Sequence, residues 1–278
     1  MIKICLDAGH YGKYNRSPAN GKYYESDMVW KLHLYQKQYL EAYGIQVITT
    51  RTNQNTDRGL YDRGAASKGC DLFISDHSNA VGSGINNNID YPVAYGLNDD
   101  KDTKIDDISR EIGGLLASCV ESIMKTKQRA RVSTRWSGTD SDGDGQHDEE
   151  YYGVLRGAKA VNTPGIILEH SFHTNASATN WLLNDENLKK LAKAEADVIA
   201  KYFGVKEKAT TPDLPYVVRV EIADLNIREK PTMDSPSRGY TGKGSFTIVA
   251  ESEGKGASKW GKLKSGAGWI SLDYAKRI

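Results

Sequence analysis

The sequence predicts an α/β protein, a sheet packed between helices over residues 1–204, followed by a small all-β unit over 216–278. Three observations carry this. Strand-like runs alternate with amphipathic helical stretches as far as Phe203, the pattern of a sheet layered between helices. Residues 205–215 hold Lys, Thr and two prolines with no apolar periodicity, and read as a linker. Beyond them the apolar runs are short and turn residues frequent, as in VVRVEI, LNIRE, FTIVAES and GWISLDY, which describes a small barrel.

Taken in order, Ile2 to Ala8 is a short buried strand closed by Gly9. From Glu25 to Gly44, Val29, Leu32, Tyr35 or Gln36, Tyr39 or Leu40 and Tyr43 recur at helical spacing, with Gly44 as terminator. IQVITT (45–50) is a strand by its β-branched content, 57–68 a short helix, DLFIS (71–75) a third buried strand and 90–97 a further one. Residues 105–125 place Ile108, Ile112, Leu115, Leu116, Cys119 and Val120 on an amphipathic helix that Gly113-Gly114 weakens. Residues 165–168 form a strand, and 176–183 and 186–203 are helical.

Charge and composition narrow the function. Lys+Arg (37) and Asp+Glu (36) nearly cancel, so no global field attracts nucleic acid or a membrane surface. No nucleic-acid partner and no stable membrane association are expected, and no apolar run is long enough to span a bilayer. The N-terminal MIKICLDAGH has an apolar run interrupted by Lys3 and stopped by Asp7, too short for a secretory signal. The chain is therefore expected to be made in the cytoplasm. Cys5, Cys70 and Cys119 are odd in number and widely spaced, which predicts buried free thiols.

Several polar residues stand where chemistry is placed. His10 follows the first strand and His77 follows DLFIS, so both fall at strand ends on one sheet edge, where α/β proteins build their sites. Glu25 opens a helix; it is either a third ligand or a charge favoured by the helix dipole. Two imidazoles and a carboxylate are a donor set for catalytic zinc, which keeps one further position open. In IILEHSFHTN (166–175) a glutamate and two histidines crowd together, open to metal binding, proton transfer or simple polarity. Asn79 either orients a ligand or substrate or caps a turn. His33 sits between Leu32 and Leu34 and reads as a side chain at its helix edge. Asp140, Asp142, Asp144 and Asp148 alternate around Gly145 like a calcium loop, but Tyr151 stands where the last ligand belongs and Glu150 comes one early. The match is partial, so the segment is either a Ca2+ site or a solvated acidic loop.

Read together, LDAGH, Glu25, TR at 50–51, RGAA from 63, DLFISDHSNA and IILEHSFHTN occur in one order. Over about 1–203 they resemble the zinc-dependent N-acetylmuramoyl-L-alanine amidases (amidase type 3), the catalytic domain of autolysins, sporulation hydrolases and phage endolysins. The resemblance implies a mixed twisted sheet between helices, Zn2+ held by His10, Glu25 and His77, and Glu169 as the catalytic carboxylate. It further implies peptidoglycan as substrate, cleaved by a zinc-activated water at the amide between N-acetylmuramic acid and L-alanine. In an extended strand Glu169 and His170 point oppositely, so Glu169 faces the site, His170 the core or a helix, and His173 returns as a helper near the substrate. Departures are Asp76, where small or apolar residues are common, and His170, Ser171 and His173 in place of Thr, Gly and an aliphatic residue.

LNIREKP (225–231) and GWISLDYAK (268–276) resemble bacterial SH3-type domains, which implies wall binding with Tyr240, Trp260 and Trp269 as candidate contacts. The combination resembles a phage endolysin, released to the wall through holins. A sporulation or mother-cell autolysin of the same chemistry, and a zinc peptidase acting within the stem peptide, are the alternatives. A non-catalytic wall-binding protein is a third, disfavoured by the complete set of His10, Glu25, His77 and Glu169.

Overall fold

A computed structural model describes residues 1–98, 103–140, 145, 149–206 and 214–278. The chain divides into two compact units, Met1–Lys208 and Ala209–Ile278.

The first unit is built on strands β1 (Lys3–Ala8), β2 (Gln46–Thr49), β3 (Leu72–Asn79), β4 (Val93–Gly96), β5 (Arg131–Ser133) and β6 (Gly165–Phe172), in the sheet order β2-β1-β3-β6-β4-β5. All pairings are parallel except β4 with β6, so the sheet is mixed. Helices α1 (Glu25–Ala42), α2 (Leu60–Ala65), α3 (Lys104–Met124), α4 (Gly153–Ala160), α5 (Ala176–Leu182) and α6 (Asp185–Tyr202) complete it.

Alternation along the strands sorts the core into two layers. Ile4, Leu6, Leu72, Ile74, Ile166 and Leu168 pack with α1, α3 and α6 on one face. Cys5, Phe73 and Ile167 pack with Val154, Leu155 and Ala158 of α4 on the other. Each fully buried aliphatic side chain here contributes about 1.5–3 kcal/mol, enough in sum to hold a strand in register.

The helix starts are set by polar caps. The Asn175 side chain accepts from Ala178 N, and Asn184 accepts from Glu186 N and Asn187 N. Asp106 accepts from the Thr103 backbone N–H at 2.8 Å, opening α3. That helix closes on Lys125 in the left-handed region (φ 56°).

Four elements depart from the sequence reading. β3 and β6 run on to Asn79 and Phe172, so His77 and Glu169 lie inside strands and not just after them. β5 and α4 were not expected at all. β5 is only three residues long and its Arg131 guanidinium lies 3.7 Å from the Tyr91 ring centroid, a contact with no sequence signature. α4 carries glycines at 153 and 157, which argue against a helix locally. Tertiary packing overrides that, because Gly64 of α2 and Gly157 of α4 let the two backbones meet. A Cβ at Gly64 would overlap the Val154 carbonyl, and one at Gly157 the Tyr61 carbonyl.

The second unit is a seven-stranded antiparallel sheet of β7 (Tyr216–Val220), β8 (Asn226–Arg228), β9 (Ser237–Tyr240), β10 (Gly244–Gly254), β11 (Ala257–Leu263), β12 (Trp269–Ser271) and β13 (Ala275–Arg277). Its order is β13-β7-β10-β11-β12-β8-β9, around Val218, Val220, Leu225, Ile248, Leu263 and Ile270. No helix among the described residues is long and apolar enough to cross a membrane.

Candidate active site

The carboxyl ends of β1, β3 and β6 lie side by side, and the candidate residues project from them. His10 follows β1 by two residues, His77 pairs directly with Glu169 across β3 and β6, and Glu25 is the first residue of α1. The loop that carries His10 is pinned from behind. Arg51 Nη2 donates to the Ala8 carbonyl at 2.5 Å, while Arg63 donates to the Ala8 and His10 carbonyls at 3.2 and 3.1 Å. Held this way, His10 takes a left-handed backbone (φ 57°), which costs a non-glycine residue about 1 kcal/mol or more. Gly9 is required beside it, because a Cβ there would fall 2.5 Å from His77 Nε2. Arg63 also pairs with Asp57 at 3.0 Å and Asp7 at 3.6 Å.

The ligand atoms of His10, Glu25 and His77 all lie within 4.8 Å of one another. His10 Nε2 is 3.2 Å from Glu25 Oε2, and His77 Nδ1 donates to Glu25 Oε1 at 2.8 Å. Tetrahedral zinc with bonds of about 2.1 Å sets its ligands about 3.4 Å apart, so this donor set fits that ion in type, with the three ligand atoms near enough to converge on one position. Glu25 is buried while the two histidines keep about a fifth to a quarter of their side chains exposed (19% and 25%), which leaves the cluster open on one side.

Electrostatics tie the three together. Burial would raise the Glu25 carboxyl, but the hydrogen-bonded His10 and His77 outweigh it and hold the acid well below its ordinary range. Burial likewise opposes charge on His77, yet the Glu25 carboxylate pushes its pKa up to about 9. Glu169 behaves differently. Burial, only partly offset by His77, pushes it up to about 7. Its Oε2 is fully covered and has no hydrogen-bond partner among the described residues.

A cavity of about 370 Å³ joins these groups, lined by His10, Glu25, His77, Asn79, Glu169 and His173 among others. Asn79 and His173 thus reach the same space. His173 Nδ1 donates to the Ser78 carbonyl at 2.8 Å, and its own carbonyl accepts from Ser17 at 2.5 Å. His170 turns to the opposite face and is fully buried against α6. Leu60, Tyr152, Gly153 and Val154 form the far wall. Sequence reasoning missed that wall, since it depends on the α2–α4 contact. It also missed Asn15, whose side-chain N–H donates to Glu25 Oε2 at 2.6 Å and sits 3.2 Å from His10 Nε2; its loop carries no pattern that would mark it.

Of the acidic residues, Asp142, Asp144 and Asp148 lie outside the described residues, and Asp140 accepts from the Gly145 backbone at 3.1 Å. In the second unit Trp260 is buried (3% exposed) with its indole N–H donating to the Gly254 carbonyl, so it is a core residue and presents almost no surface for a wall contact. Tyr240 is exposed and Trp269 half-buried. Cys5 and Cys70 are buried free thiols as expected, whereas Cys119 is only half-buried.

Two histidines and a carboxylate thus cluster beside a second, buried glutamate at the carboxyl edge of an α/β sheet. The chain belongs to the N-acetylmuramoyl-L-alanine amidase family, whose profile matches residues 4–201. Its substrate bond is therefore the amide that family cleaves in peptidoglycan.

Solved structures agree on the fold. The catalytic domain of CwlV, an N-acetylmuramoyl-L-alanine amidase from Bacillus (Paenibacillus) polymyxa var. colistinus, is 18% identical with a TM-score of 0.57, covering 74% of this chain and 100% of that one. An N-acetylmuramoyl-L-alanine amidase from Clostridium difficile 630 is 24% identical with a TM-score of 0.58, covering 74% and 98%. Cwp6 from Clostridium difficile is 25% identical with a TM-score of 0.54, over 72% of this chain and 29% of that one. No curated protein sequence matches the chain.

Proposed function

We propose that His10, Glu25 and His77 hold a zinc ion and that Glu169 carries the proton in cleavage of the N-acetylmuramoyl–L-alanine amide. The observation that carries this reading is the convergence of three ligand atoms within 4.8 Å on the cavity that Glu169 also lines. Zinc bound there would act as a Lewis acid, polarising the amide carbonyl and making water acidic enough to attack near neutral pH.

The rest falls to the chain's own residues. An amide needs a proton removed from the attacking water and one delivered to the departing amine. Glu169 as carboxylate takes the first at its unpartnered oxygen and, as the acid so formed, returns it to the amine nitrogen. A carboxyl raised to about 7 by burial is matched to both halves of that exchange. His173, fixed through Nδ1–H to Ser78, offers Nε2 to the substrate, and Asn79 stands on the same wall.

For the second unit the reading is an SH3-type wall-binding domain with Tyr240 and Trp269 as its contacts, the exposed and half-exposed aromatics of the three candidates. For the whole chain it is a phage endolysin, on the resemblance of both halves; a sporulation autolysin would share every step of the chemistry.

Digestion of purified peptidoglycan tests this. New N-terminal alanine amines without new reducing sugars are expected, lost on chelation and restored by zinc. New termini inside the stem peptide would instead make the protein a peptidase, and wall binding without release would make it a binding protein.

A further inference from the structure

The ladder between β3 and β6 slips beside the active site. His77 pairs with Glu169, but the next pairing is Asn79 with Phe172, so His170 and Ser171 together oppose Ser78 alone. Ser171 takes a left-handed backbone there (φ 60°). A bulge of this kind re-aims the side chains that flank it, and the flanking side chains are His77 and Glu169.

Two buried polar contacts hold the bulge. Ser171 Oγ donates to Asp90 Oδ1 at 2.7 Å. On the other face, His170 Nδ1 donates to the His77 carbonyl at 2.9 Å and its Nε2 donates to Glu195 Oε1 of α6 at 2.8 Å. Carbonyl and carboxylate oxygens only accept, so both ring nitrogens carry protons in this arrangement. Gln36 of α1 closes the cluster, donating to Glu195 Oε2 at 2.9 Å and Asp76 Oδ1 at 3.1 Å. His170, Glu195, Gln36 and Asp76 are all buried, at 0–1% exposure.

We propose that the His170–Glu195 pair is a positioning element for the active site: by gripping the His77 carbonyl at the bulge, it sets where His77 and Glu169 project into the cavity. It touches no substrate. Glu195 orients the ring from α6, and the ring fixes the backbone of the residue read above as a zinc ligand, so the inference rests on that reading. Partners lying behind a metal ligand typically change metal affinity or activity by about 10- to 100-fold when removed.

Two neutral double variants isolate the grip from the cost of burying charge. His170→Asn/Glu195→Gln keeps an N–H donor where Nδ1 now stands, whereas His170→Leu/Glu195→Gln has none. Zinc affinity of the metal-free full chain, measured by competition with a chromophoric chelator, is expected within about 3-fold of the parent for the first and about 10- to 100-fold weaker for the second. The kcat on a soluble muropeptide should follow the same order, with KM changed little.

Equal affinities in the two variants would overturn the proposal. If the parent itself fails to bind zinc, or Glu25→Ala binds it equally well, the ligand assignment falls instead. The unmodified protein gives a check that no folding defect can obscure. Nitrogen-15 spectra of its histidines should show a slowly exchanging proton on His170 Nδ1, and a bare Nδ1 would contradict the proposal.

Discussion

Burial in α1 keeps His33 neutral: its ring packs tilted against Trp30 at 4.5 Å between centroids, donates to the Val29 carbonyl, and has its pKa pushed down to about 4. An unfolded chain takes up this proton near pH 6.5, while the folded one refuses it until about 4. His33 therefore contributes stability that is complete above pH 6.5 and is lost as pH falls towards 4. A shift of this size corresponds to about 3 kcal/mol. The stability difference between the parent and His33→Leu should shrink by that order between pH 7.5 and pH 4, measured by denaturant unfolding. A difference that does not change with pH would contradict the assignment. The sequence placed His33 at the helix edge because its neighbours are leucines on both sides; only the packing of α1 on the sheet reveals that it points inward.

The same contrast holds in the site. Glu169, His170 and His173 were legible as facing the site, the far side and the site again, because strand alternation is a local rule. Asp76 and His170, two of the four departures from the family pattern, prove to share one buried cluster 3.9 Å apart, which needs the third dimension to see. Asn15 was invisible for a related reason: its role comes from the fold of a loop and not from any spacing.

Among the elements, α2 and α4 carry the sharpest expectation. Their backbones touch at Gly64 and Gly157, and the helices present Leu60, Gly153 and Val154 to the cavity. Gly157→Ala must push them apart, at a cost of about 1–3 kcal/mol typical of overpacking. Thermal melting should register the loss, and amidase activity should fall with it because the cavity wall moves. Unchanged stability would mean the helices are free to separate. The strands and long helices were legible because their apolar periodicity is strong and local. β5 and α4 were not, since three residues carry no pattern and glycines argue against the helix that packing imposes.

At the scale of the molecule, each unit has its own apolar core and its own sheet. A chain ending at Lys206 should therefore keep its turnover on a soluble muropeptide. Its binding to intact cell walls should weaken at least about tenfold if the second unit tethers the enzyme to its polymer, as pelleting with purified walls would show. Equal pelleting would remove the wall-binding role. Linker composition and the change in run length carry the two-unit reading, but which tryptophan of the second unit is buried has no sequence signature, because a tryptophan in a short strand reads the same whether it faces the core or the solvent.

The central claim joins all three scales: His10, Glu25 and His77 hold the metal, and Glu169 moves the proton. Its most direct test is full-length Glu169→Gln, with zinc content and the rate of alanine release measured on one preparation. Zinc should be retained at the parent's level while the rate falls by about 10²- to 10⁴-fold, the range for loss of a general acid–base group. A variant that keeps near-parent activity, or loses its zinc together with its rate, would contradict the division of labour drawn here.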